Sequence, residues 1–194
     1  MLWSAAVANM PFDHSSATAV TGWLQSFTTL LMLIVVWMTF VGLLMRFVWT
    51  PALSDTALPF IVGILQFAVI EAATPNRFGF WLIGLGVLSL VMAFLTQRYF
   101  KLARLNPQNA EFFELVTPAT WRDFLPSFVL ATYAITAGAA VLAFSVTAWA
   151  LTLIILPIIA GFAYYIYDQN RFWVMSIPSS RKKANDPNNR TEES

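Results

Sequence analysis

Charge is the scarcest commodity in this chain. Only 11% of its 194 residues are charged, while 58% are hydrophobic. Soluble globular domains carry about 25% charged residues, so a water-facing surface cannot be assembled from so few. A soluble enzyme, a secreted module and a disordered chain are excluded together, and an integral membrane protein remains. Cysteine is absent altogether, which removes disulfides, thiol chemistry and thiolate metal sites without reporting on redox compartment. The single histidine, His14, precedes the first apolar run. A bis-His haem or a His-based copper, di-iron or zinc site within the membrane is thereby excluded. Neither a GxGxxG sequence, a Walker-type glycine loop nor a GxSxG elbow occurs, so no cofactor, metal or catalytic residue is assigned. A net charge of +1 makes no case for nucleic acid as a partner. The segment from Met1 to Met10 has no Lys or Arg, and so lacks the basic region of a signal or transit peptide.

Long uncharged runs are what the chain has instead. A helix needs roughly 20 apolar residues to cross the hydrocarbon core. Dense apolar sequence from Trp23 to Trp49 is broken only by Arg46. A second run, Leu58 to Thr74, contains Glu71 and is just long enough, with Pro59 expected in its first turn, where a missing N–H costs nothing. The third extends from Phe78 to Gln97 and ends at Arg98, Lys101 and Arg104. Phe124 to Tyr167 then carries no charge over 44 positions, about twice one span, so it must fold back. The polar patch Ser145-Val146-Thr147-Ala148 is the break. One span plus a re-entrant segment is the competing reading, and it is disfavoured because each half suffices alone. The expected fold is all-α: a polytopic integral membrane bundle of five transmembrane helices near 23–49, 58–75, 78–98, 126–144 and 148–168. Residues 1–21 form an external segment, 22–178 the membrane domain and 179–194 a disordered cytoplasmic tail.

Basic residues orient the bundle. With the N-terminus outside, ten of the eleven Lys and Arg fall on one side and only Arg77 on the other. The positive-inside rule then gives N-out, C-in, in a bacterial inner membrane. Trp23, Trp81 and Trp149 fall at outer ends, where an aromatic belt is expected, and Trp49, Tyr99, Tyr164, Tyr165 and Tyr167 at inner ends. The loop 105–125 reads either as short cytoplasmic interfacial helices, with Phe112, Leu115 and Val116 opposite Glu111 and Glu114, or as a plain connector. Arg46 to Asp55 resembles, over about ten residues, the small membrane subunit of tripartite substrate-binding-protein-dependent transporters. The paired acidic residues and Trp of that family are missing, and it has four main spans, so membership does not follow.

Few residues could carry function. Glu71 is the one ionisable residue inside an expected span, and an intramembrane carboxylate is a functional candidate by default. It lies four residues before Pro75, roughly 6 Å from the helix end, so the blander reading is a carboxylate that reaches the interface or pairs with Arg77. Gln66, five residues earlier, is about 140° around the helix and off that face. Trp37, mid-helix, either needs a polar acceptor or packs on neighbours and lipid. Thr132, Thr136 and Gly138 fall on a small-residue pattern suited to close helix packing. Pro157 with Gly161 suggests a kink. The expected role is an accessory, scaffold or assembly subunit with no catalytic machinery of its own, in contact with lipid and with a membrane-protein partner or further copies of itself. The alternative is a small homo-oligomeric transporter or channel with Glu71 in the pathway. An intramembrane enzyme stands last, because no acid–base pair is visible.

Overall fold

In a computed structural model the described residues, 17–48, 53–110, 113 and 124–184, form helices joined by short turns. Among the described residues five helices follow one another: α1 (Ala17–Arg46), α2 (Leu53–Glu71), α3 (Phe78–Leu105), α4 (Leu125–Ala143) and α5 (Ala148–Ala184). Two 3-10 turns precede and follow α3, Pro75–Arg77 and Pro107–Asn109. No strand occurs among the described residues. Four stretches are long and apolar enough to cross a bilayer: Thr18–Leu43, Phe78–Leu105, Leu125–Ala143 and Ala148–Asn170. In α2 the apolar part, Ala57–Glu71, is shorter.

Several boundaries differ from the sequence reading. Helix α2 begins at Leu53 rather than near Leu58, and it ends at Glu71 rather than near Pro75. Pro59 is therefore inside the helix, where it removes the hydrogen bond that an N–H would make to the turn before. After Glu71 the backbone closes through Ala73 N–H to the Ile70 carbonyl at 3.0 Å, and Pro75 then starts a new turn. The fold-back between α4 and α5 falls beside the polar patch: α4 stops at Ala143 and Thr147 caps α5, its Oγ1 accepting the Ala150 N–H at 3.4 Å. Helix α5 does not end near Tyr167. It continues through Pro157 and Pro178 to Ala184, into the residues expected to be a disordered tail. The interfacial-loop reading of 105–125 lies mostly outside the described residues, as do the expected external segment and the end of the tail.

Helix directions follow from named contacts. Thr29 of α1 meets Trp81 near the start of α3, and Val48, just past α1, meets Asn106 and Asn109 just past α3, so α1 and α3 are parallel. Thr21 meets Thr152, and Thr39 meets Tyr165, so α1 and α5 are parallel as well. Helix α4 runs antiparallel to α3: a Cβ at Gly79 would lie 2.7 Å from Leu142, while at Gly86 it would lie 2.8 Å from the Ala131 carbonyl. The most extensive helix contacts are α3 with α4, then α1 with α5; α4 and α5, although consecutive, touch far less.

The α3–α4 seam is tight because both helices lack side chains where they cross. A Cβ at Gly138 would lie 2.7 Å from the Gly79 carbonyl oxygen and 3.0 Å from the Ile83 nitrogen, so backbone approaches backbone. Apolar packing fills the centre, where Leu82, Leu85, Leu88, Ile155 and Ile158 are all buried. The opposite faces carry exposed Phe60, Ile64, Phe94 and Leu153, as helices in contact with lipid do.

Candidate functional site: a cavity between two helix pairs

Because α3–α4 and α1–α5 are the tight pairs, the space between them is incompletely filled. A cavity of about 520 Å³ lies there, within the ~300–1,000 Å³ range of small-molecule sites. Its walls run along α1 from Met32 to Phe47 and along α3 from Leu88 to Phe100. Pro126, Ser127 and Leu130 of α4 close one side, and Gly161 to Gln169 of α5 the other. It thus occupies the half of the bundle nearest the C-terminal ends of α1, α3 and α5. Near Gly161 the helices close up, since a Cβ there would lie 2.9 Å from Leu130. Exposed Tyr164 and Asp168 belong to its rim, so it opens at that end.

Most of the wall is aliphatic or aromatic, and its polar groups are few. Thr39 Oγ1 donates to the Val35 carbonyl at 2.8 Å and lies 3.0 Å from the Tyr165 hydroxyl. Ser89 Oγ donates to the Leu85 carbonyl at 2.8 Å, and Thr96 is buried. Asp168 and Gln169 flank the Tyr165 phenol at the open end. Among the described residues, Asp168 is the one carboxylate on the wall, and neither Lys nor Arg lines it. Phe47, Phe100 and Phe124 complete an aromatic rim with Tyr164 and Tyr165.

A clamp beneath the cavity holds its mouth. Asn109, 4% exposed, accepts the Val48 N–H at 3.0 Å through Oδ1 and donates from Nδ2 to the Val48 and Ala103 carbonyls, both at 2.8 Å. Asn106 Nδ2 reaches the same Val48 carbonyl at 2.8 Å. Val48 is thereby paired much as a strand residue would be, which fixes the end of α1 to the end of α3. Phe47, Phe100 and Phe113 pack beside it, with ring centroids 5.3 Å apart for Phe47–Phe100 and the Arg104 guanidinium 5.1 Å above Phe113.

A second polar group lies at the other end of α1. Thr21, Gln25, Thr28 and Thr29 are buried on one helix face. Trp81 Nε1 donates to Thr29 Oγ1 at 3.0 Å, and Thr21 Oγ1 lies 3.0 Å from Thr152 Oγ1. Gln25 Nε2 is buried and has no hydrogen-bond partner among the described residues. Trp81 is 0% exposed, so it is a core residue hydrogen-bonded across helices rather than part of the outer aromatic belt. Tyr99 is likewise buried, whereas Trp23, Trp149, Tyr164 and Tyr167 are exposed. Trp37, at 72% exposed, faces away from the bundle and needs no protein acceptor.

The candidates from sequence are elsewhere. Glu71 is the last residue of α2 and is exposed, Arg77 is exposed at the end of the following turn, and Gln66 is half-buried. The structure does not join Glu71 and Arg77 in an ion pair, and none of the three lines the cavity. Gly138 is buried at the α3 crossing. Thr132 and Thr136 are exposed on other faces of α4, and the Thr136 hydroxyl donates within its own helix, to Thr132 at 2.8 Å. Among the described residues no group of three or more His, Asp or Glu is placed to hold a metal ion. The cavity residues and the α1 polar face escaped sequence reading, although Thr21, Gln25, Thr28 and Thr39 follow one another at spacings of four, three and eleven residues, a helical period that polar side chains can carry as well as apolar ones.

Four membrane-length apolar helices with aliphatic and aromatic side chains outward are the pattern of a helical membrane protein. No known protein family, no curated protein and no solved structure matches the chain.

Proposed function

We propose that the chain is a five-span inner-membrane protein, N-terminus outside and C-terminus cytoplasmic, that serves as an accessory, scaffold or assembly subunit of a membrane complex. The parallel course of α1 and α3 supports the fifth span. If both cross the bilayer in the same direction, the chain must return between them, and α2 is the helix available. Its 19 residues extend about 28 Å at 1.5 Å per residue, of which the apolar part, Ala57–Glu71, covers about 22 Å of a ~30 Å hydrocarbon core, a mismatch that local thinning of the bilayer accommodates. Ten of eleven basic residues then lie on the cytoplasmic side.

The subunit reading rests above all on how polar groups inside the spans are used. Thr21 with Thr152, Thr29 with Trp81 and Thr39 with Tyr165 face one another across helices and hold the bundle together. They occur as separate pairs at different depths rather than as one polar path. The alternative is a homo-oligomeric transporter or channel, in which exposed Glu71 would meet its counterpart in a second copy. Purification from native membranes in mild detergent distinguishes the two. A stoichiometric second protein is expected. A homo-oligomer alone, with ion flux into liposomes that Glu71→Gln abolishes while leaving the fold intact, overturns the subunit reading.

A further inference from the structure

The cavity between the helix pairs has a definite chemical polarity: an aliphatic interior, an aromatic rim and the Asp168 carboxylate at its mouth. We propose that it is a binding site for a cationic amphiphile, a molecule with one apolar chain and an ammonium head, held with the chain among Met32, Leu88, Met92 and Leu130 and the head beside Asp168. This inference is independent of what the bundle assembles with.

Size comes first. Along α1 and just past its end the wall runs from Met32 to Phe47, about 22 Å at 1.5 Å per residue. A twelve-carbon amine has about 13 heavy atoms, and at the roughly 30 Å³ of a liquid water each it needs about 390 Å³. That fits within the 520 Å³ present. The closed end is apolar, and the Ser89 hydroxyl there already donates to a carbonyl of its own helix. Burying a second polar group at that depth would leave it without a partner, so the chain end of the ligand goes in first.

Sign comes next. The rim offers the Asp168 carboxylate, the Gln169 amide and the faces of aromatic rings that include Tyr164, Tyr165, Phe47 and Phe100. Carboxylate and ring faces both attract an ammonium group. Among the described residues neither Lys nor Arg shares the wall to receive an anionic head. An alkylamine with the ordinary ammonium pKa of about 10.4 is charged at neutral pH. A fatty acid of the same length would set its carboxylate against Asp168.

The test uses purified protein in a nonionic detergent with a dodecylamine analogue carrying a diazirine in mid-chain. Photolabelling should fall on the peptides that contain Met92 and Leu130, and unlabelled dodecylamine should compete it away. Dodecanol and dodecanoate should compete less well, by roughly ten-fold or more, the advantage of a charge-assisted hydrogen bond. Asp168→Asn, at an exposed position that leaves the packing untouched, should bring dodecylamine down to the level of dodecanol while dodecanol is unaffected. Dodecanoate competing as well as the amine overturns the proposal. So does an amine preference that survives Asp168→Asn, or label spread evenly over lipid-facing Phe94 and Leu153.

Discussion

Single positions in this bundle separate into those where one carbon is too many and those where it makes no contact. At Gly86 an added Cβ would lie 2.5 Å from Ile135 and 2.8 Å from the Ala131 carbonyl, and at Gly138 it would meet backbone on two sides. Gly86→Ala and Gly138→Leu should each lower thermal stability in detergent by an overpacking cost of about 1–3 kcal/mol. At Gly22 and Gly63 an added Cβ meets nothing within 4 Å, so Gly→Ala there should be neutral or stabilising by up to about 1 kcal/mol. Equal melting temperatures for all four variants would show that the α3–α4 seam is not the close contact described. The Trp81–Thr29 pair provides an asymmetric comparison. Trp81→Phe removes the donor and leaves Thr29 bonded to the Gln25 carbonyl at 2.8 Å, a loss of about 1 kcal/mol. Thr29→Ala strands the buried indole N–H and should be the more damaging change, by about 1–3 kcal/mol. Urea or thermal melts of the two variants side by side decide the order.

Among the elements, α2 determines the topology, and the missing cysteines make it accessible to experiment. Every introduced cysteine is the only one in the chain. Asn76→Cys, between α2 and α3, should react with a membrane-impermeant maleimide from outside. Reporter fusions after Arg104 and Lys183 should read as cytoplasmic, and one at Thr147 as external. If Asn76→Cys is labelled only from the cytoplasmic side, α2 does not cross and the bundle has fewer spans. The sequence is most informative about these long features, because an uncharged run has one physical solution in a bilayer. The Phe124–Tyr167 run demanded a reversal, and its polar patch pointed to the place where α4 ends and α5 begins. It is less informative about α2, where Pro59 suggests a helix start but the helix begins earlier, at Leu53. The side-chain site was not legible. Aspartate at 168 reads as a span-end charge, and Thr39 and Ser89 read as neutral filler, until the helices are paired. Trp81 likewise has the position of a belt residue and the environment of a core residue. Facing partners, such as Thr29 for Trp81 or Val48 for Asn109, are separated by tens of residues, and no local period encodes them.

At the scale of the whole molecule the pairing order is unusual: the first helix holds the last, and the middle pair holds itself. A chain ending at Ala143 should keep the α3–α4 seam and lose the partner of α1. Its half-life in the membrane should fall, and supplying residues 147–194 as a separate segment should restore it. Unchanged turnover of the truncated chain would mean that α1 is held well enough by α3 alone. Thr21 and Thr152 are 131 positions apart, which at about 5–20 residues per second is roughly 7–26 s of synthesis. During that interval Thr21, Gln25 and Thr28 stand in the membrane with the α5 side of their helix uncovered. The nascent chain therefore carries a temporary polar stripe that the finished protein hides: the Thr28 hydroxyl can bond the Leu24 carbonyl of its own helix from the start, whereas Thr21 gains Thr152 only when the last helix arrives.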